Sequence, residues 1–158
     1  MTLKFLIPGK AREKYLTEGY EEYLKRLSRF AKTSLVWLPE VSLPETPSSG
    51  EIAKALAEEA ANALRQIKAS DCLFLIDIHA PLVSTEELAK KLQTKVATQG
   101  NLVFLLGSSY GLDDSLRRRA DVAFSLSPLT FTHYLALLVT LEQVYRSFKI
   151  LSGESYDK

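Results

Sequence analysis

A chain of 158 residues, 46% hydrophobic and 25% charged with a formal charge of +1, has the size and balance of one compact domain (residues 1–158), large enough to bury a core without disulfides or metal. The near-neutral charge excludes a protein that is basic throughout, so a polyanionic partner must be met by local patches, and a single cysteine, Cys72, excludes an intrachain disulfide. No apolar stretch reaches the roughly 20 residues of a membrane span, and the amino-terminal region, with Lys4, Lys10 and Arg12, lacks a signal-peptide pattern, so the expectation is a cytoplasmic protein with no membrane partner.

Leu3, Phe5 and Ile7 alternate with Thr2, Lys4 and Leu6, which predicts a first strand ended by Gly9. Tyr20, Tyr23, Leu24, Leu27 and Phe30 then recur at helical spacing, with Glu21, Lys25, Arg26 and Arg29 on the other face. Leu35 to Leu38 reads as a short strand stopped by Pro39, which has no ladder donor. Residues 39–50, PEVSLPETPSSG, read as a surface connection, with a lid as the alternative. Ser48 with Glu51 forms a capping-box pattern before a helix striped by Ile52, Leu56, Ala60, Leu64 and Ile67, and Ser84 with Glu87 repeats it before Leu88, Leu92 and Val96.

CLFLI (72–76) and LVFLL (102–106) are apolar without interruption, as strands are when helices cover both faces of a parallel sheet. A short helix over Leu112 to Arg119 and a fifth strand over Val122 to Leu126 complete an alternation of strand and helix along the whole chain. That order predicts an α/β fold, a parallel sheet with helices on both faces. The last helix, Thr132 to Leu151, carries Tyr134, Leu135, Leu137, Leu138, Val139 and Leu141 almost all round its first half. One small sheet covers only one side of such a helix, which predicts a self-complementary second copy on the other.

Two turns at the carboxyl ends of strands are the candidate ligand sites. LLGSSYGL (105–112) places Gly107 and Gly111 where backbone must turn or approach closely, and Asp113 and Asp114 open the next helix with charges that repel a phosphate. SLSPLTFTH (125–133) crowds hydroxyls and a proline into a turn, with Thr130 or Thr132 as helix cap and His133 read as a structural histidine. Two histidines and one cysteine give no metal-ligand spacing, so no metal is expected. The basic groups Lys10/Arg12/Lys14, Lys25/Arg26/Arg29/Lys32 and Arg117/Arg118/Arg119 read as solvated helix faces.

GKAREKYLTEGYEEYLKRLSRF, LLGSSYGL, SLSPLTFTH, LEQVYRSFKI and the terminal GESYDK, in that order and spacing, resemble the RlmH-type pseudouridine N3-methyltransferases of the SPOUT class, over nearly the whole chain. The resemblance implies a carboxyl-terminal trefoil knot, an exception to the rule that chains avoid knots. It implies a homodimer that binds S-adenosylmethionine and acts on large-subunit (23S) ribosomal RNA, alone or in the assembled ribosome. It places the cofactor on Ile76, Gly107, Leu126, Ser127, Pro128, Leu129, Thr130 and Phe131. Where that family usually ends in Tyr-His-Lys, this chain has Tyr156, Asp157 and Lys158. Tyr156 and Asp157 are the candidate catalytic residues, and Arg146 and Lys158 the candidate contacts to RNA. The alternatives are a non-catalytic RNA-binding module of the same fold and a flavodoxin-like nucleotide-binding protein.

Overall fold

The computed structural model describes residues 1–156. Its elements are β1 (Thr2–Pro8), α1 (Lys14–Leu27), β2 (Lys32–Leu38), α2 (Ser49–Leu64), β3 (Cys72–Ile76), α3 (Thr85–Thr98), β4 (Asn101–Leu106), α4 (Asp114–Arg119), β5 (Val122–Phe124) and α5 (His133–Leu151). The five strands pair in parallel in the order β2-β1-β4-β3-β5. The expected α/β fold is therefore present, with β4 inserted between β1 and β3.

Alternate residues of the central strands face two cores. On one side Phe5, Phe74 and Phe104, paired in register, stack with ring centroids 5.0 Å apart in each pair. Burying such a ring contributes roughly 2–3 kcal/mol, and each stacked pair roughly 1 kcal/mol more. This core includes residues of α1, α3 and α5. The opposite faces of the same strands, Leu6, Leu73, Leu75, Val103 and Leu105, pack with residues of α2 and α4. Continuous apolar strands are thus explained by helices on both faces.

Local chemistry sets the element ends. The Ser48 hydroxyl accepts the Glu51 N–H at 3.1 Å while the Glu51 carboxylate accepts the Ser48 N–H at 3.1 Å, a complete capping box. At α3 only half of it forms, with Ser84 accepting from Glu87 N–H at 3.1 Å. β2 extends back to Lys32 because its backbone pairs with β1 from Thr2 onward, a pairing that carries no apolar signature. β5 stops at Phe124 and α4 begins only at Asp114, after Asp113 as cap. Thr132 caps α5, its hydroxyl accepting the Leu135 N–H at 3.4 Å.

α5 lies against α1 and α3 and buries Leu137, Leu141, Val144 and Phe148. Its other side is open within one chain: Leu135 is exposed and Val139 half-buried. Among the described residues no helix is long and apolar enough to cross a membrane.

Candidate active site

β3, β4 and β5 end side by side, and the loops that leave them enclose a cavity of about 640 Å³. Ligand sites in open parallel sheets form in this position, and the volume falls within the range of small-molecule pockets. Ile76 and the residues after it form one wall, the Gly107–Leu112 turn a second, and the segment after β5 a third. Of the expected cofactor residues, Ile76, Gly107, Leu126, Ser127, Leu129, Thr130 and Phe131 line the cavity. Pro128 sits in the same loop outside the wall.

Gly107 is required by close approach: a Cβ there would come within 2.6 Å of the Gly111 carbonyl oxygen. Gly111 has φ +110°, a backbone conformation that side chains disfavour, and its N–H bonds to the Ser108 carbonyl at 3.0 Å. In the third wall the Ser127 hydroxyl accepts the Leu129 N–H at 3.0 Å. This turns Leu129 outward, 71% exposed, beside the partly exposed Phe131. Apolar side chains held open beside backbone polar groups are suited to a ligand that is part apolar and part polar.

Three polar side chains of the cavity gain a new reading. Asp77, the first residue after β3, is buried, and its Oδ2 accepts from Arg117 Nε at 2.7 Å while Oδ1 accepts the His79 N–H at 3.0 Å. Burial acts to raise its pKa, but the hydrogen bonds and charge of Arg117 and the His79 N–H outweigh it, holding the carboxyl below the usual range. His133 forms part of the wall, and its buried Nε2 has no hydrogen-bond partner among the described residues. Burial lowers the pKa of this imidazole, against the charge of Glu40 and the Pro8 carbonyl, so it is neutral at pH 7.

A second polar group lies further along α5. Arg146 Nη2 donates to Glu142 Oε1 at 2.6 Å, and the Tyr156 hydroxyl donates to the same oxygen at 2.9 Å. The guanidinium lies 3.8 Å from the Tyr156 ring centroid, and the ring meets Tyr145 edge-on at 5.7 Å. Burial, then the bond to Glu142, raises the Tyr156 pKa. Tyr156 is thus docked on α5. Glu142 lies nine residues beyond His133, about 14 Å along the helix at 1.5 Å per residue. Within one chain the cavity residues and the Arg146–Tyr156 pair are not brought together. Asp157 and Lys158 lie outside the described residues.

The family described as "Predicted SPOUT methyltransferase" matches residues 1–157. The chain belongs to the SPOUT methyltransferase family. Its SPOUT fold therefore serves methyl transfer, and a methyl donor is required. "Ribosomal RNA large subunit methyltransferase H" of Alkaliphilus oremlandii is 40% identical over 159 residues, covering 100% of both chains. The protein of the same name from Enterococcus faecalis is 37% identical, again over 100% of each. In fold, the chain matches a probable methylase family protein from Haemophilus influenzae Rd KW20 at TM-score 0.52 and 12% identity, covering 99% of this chain and 70% of that one.

Sequence reasoning passed over Asp77 and took the 117–119 arginines for a solvated face. Of these three arginines of the SPOUT chain only Arg118 is exposed. Arg119 bonds to Asp121 at 3.0 Å and to the Lys68 and Asp71 carbonyls at 3.0 and 2.9 Å. The available signal was Asp77 itself, a charge placed directly after the uninterrupted apolar run CLFLI.

Proposed function

We propose that this methyltransferase takes its methyl group from S-adenosylmethionine and transfers it to N3 of a pseudouridine in large-subunit (23S) ribosomal RNA. It works in the cytoplasm as a homodimer, with no metal. The observation that carries the reading is the cavity at the ends of β3, β4 and β5, in a chain whose relatives are named ribosomal RNA large subunit methyltransferases. Bound there, S-adenosylmethionine supplies an electrophilic methyl group on its sulfonium.

The chain's own residues bind and orient. Ile76, Leu126, Leu129 and Phe131 pack on the adenine and the methionine chain, while Gly107, Ser127 and Thr130 offer backbone groups to the polar edges and Pro128 stiffens the loop that carries them. Alignment of the base nitrogen with the methyl group contributes several kcal/mol to lowering the barrier. Tyr156 stacks on or positions a loop nucleotide, Asp157 accepts the N3 proton, and Arg146 and Lys158 meet phosphates.

One observation bears on the path of the chain and one on its assembly. Asp77 N–H bonds to the Phe124 carbonyl at 3.0 Å and Ser125 N–H to the Pro81 carbonyl at 2.9 Å, so the segment leading to α5 runs hard against the loop after β3. These bonds prolong the parallel pairing of β3 and β5, and the trefoil knot of the carboxyl-terminal segment is carried by the family reading. The open Leu135 side of α5 suits a second copy, which would carry one chain's Tyr156 toward its partner's cavity.

The test is methyl transfer from labelled S-adenosylmethionine to ribosomes and ribosomal RNA lacking the modification, with mass mapping of the product. A methylated pseudouridine is expected. Absence of transfer to every substrate form, with donor binding intact, would leave a non-catalytic RNA-binding module.

A further inference from the structure

We infer that Arg117, acting through Asp77, is a positioning residue that holds the walls of the cavity in the arrangement the methyl donor requires. This rests on the donor binding in that cavity. The three walls come from chain segments far apart in sequence, and their hydrogen bonds converge on one ion pair. Arg117 Nε donates to Asp77 Oδ2 at 2.7 Å, reaching the wall after β3. Its Nη1 donates to the Leu112 carbonyl at 3.2 Å, reaching the turn after β4, and to Asp114 at 2.8 Å. Asp77 carries the link onward: its backbone N–H bonds to the Phe124 carbonyl at 3.0 Å, just where the chain enters the third wall.

The planar guanidinium suits this task because its donors point in fixed directions, so one side chain sets the relative positions of two carboxylates and a carbonyl. A lysine ammonium, a point charge, would keep the attraction to Asp77 and lose the geometry. Asp77 is only 5% exposed, and Arg117 is its one cationic partner among the described residues. The Arg117 side chain, by contrast, is 33% exposed, and it lines the cavity. Because Asp77 is buried, removing Arg117 alone would strand its charge and cost stability as well as geometry, so the geometric effect is read in a variant that leaves neither charge. Helix α4 has other anchors, since Asp113 caps it and Leu116 is buried under it. Loss of the pair without a stranded charge is therefore expected to loosen the cavity before it unfolds the chain.

The experiment is calorimetric titration of the full chain with S-adenosylhomocysteine, together with thermal unfolding of the ligand-free protein. The variants are Arg117→Ala, Arg117→Lys, the double Asp77→Asn/Arg117→Gln and Arg118→Ala. The double variant leaves no unpaired charge, so it keeps the test valid if Arg117→Ala folds poorly. Arg117→Ala and the double variant should bind about tenfold more weakly or worse; the double variant should keep its unfolding midpoint within a few degrees of the parent, while Arg117→Ala should unfold earlier because Asp77 is left unpaired. Arg117→Lys should recover part of the affinity, and Arg118→Ala should match the parent. The loss should appear in the KM for S-adenosylmethionine and be overcome at saturating donor, where kcat stays near the parental value. Parental affinity in the double variant, or an equal loss in Arg118→Ala, would overturn the inference while the parent still bound. A parent that bound no S-adenosylhomocysteine would instead remove the cofactor reading, and this inference with it.

Discussion

At its amino end α5 presents His133 and Ala136 to an open cavity, whereas nine residues beyond His133, at Glu142, the same helix carries a group of side chains that complete one another's hydrogen bonds. The cavity is built from backbone turns and apolar side chains beside the Asp77–Arg117 pair, with a buried imidazole nitrogen that has no partner among the described residues. The Glu142–Arg146–Tyr156 group is built from charge and aromatic stacking. The first region has unfilled space and bonding capacity for a small ligand, and the second presents an already ordered polar surface. The difference teaches that, on the proposed function, donor binding and substrate contact fall to separate parts of the chain, each with its own vulnerability.

The strongest way to break the first region is Gly107→Ala. Its Cβ would meet the Gly111 carbonyl at 2.6 Å and displace the turn, so donor affinity should fall by about a hundredfold, read by calorimetry. Gly111→Ala meets nothing within 4 Å but is held at φ +110°, so its cost should fall on stability, about 1 kcal/mol by denaturant unfolding. Equal binding losses in the two would show that the Gly107 contact is unimportant.

Leu129→Ala is a milder probe. At 71% exposed the side chain supports little of the fold, so stability should stay within about 0.5 kcal/mol while donor affinity drops about tenfold. Tyr156→Phe tests the second region by removing the hydroxyl that donates to Glu142. It should cost about 1 kcal/mol in stability and reduce methyl transfer, with donor affinity unchanged. A fall in donor affinity there would mean that the two regions are not separate.

The smallest effect is the pH response of His133. Its folded-state pKa is lowered from 6.5, chiefly by burial, so the stability it contributes is fully present above that value. Protonation favours the unfolded chain, and the contribution is lost as pH falls through the lower folded value. Unfolding midpoints of the parent should therefore decline below about pH 6.5 more steeply than those of His133→Gln. Parallel declines would assign the acid sensitivity elsewhere.

Much of this was legible in the sequence. The strand-helix alternation, the uninterrupted CLFLI and LVFLL runs and the Ser48 box reflect local periodicity and capping, which the fold preserves. The strand order was not legible, because insertion of β4 between β1 and β3 depends on pairings between distant segments. Seven of the eight expected donor residues line the cavity, reached through the resemblance of SLSPLTFTH and the glycine turn. Asp77 and Arg117 were missed because 40 residues separate them and a three-arginine run gives no sign of what each member faces. The docking of Tyr156 on Glu142 was hidden for the same reason, a side-chain bond that leaves no periodic trace.

The most direct test of the central claim, that a donor cavity in one chain works with the polar group of another, is subunit complementation. Gly107→Ala and Glu142→Ala proteins, each strongly impaired alone at a donor concentration near the parental KM, would be unfolded, mixed, refolded together and assayed for methyl transfer to ribosomes at that concentration. Random pairing makes about half the dimers mixed, each with one intact donor cavity facing one intact polar group, so activity should return to roughly a quarter of the parental value. A mixed population that refolds into dimers and binds donor yet recovers no activity would contradict the account.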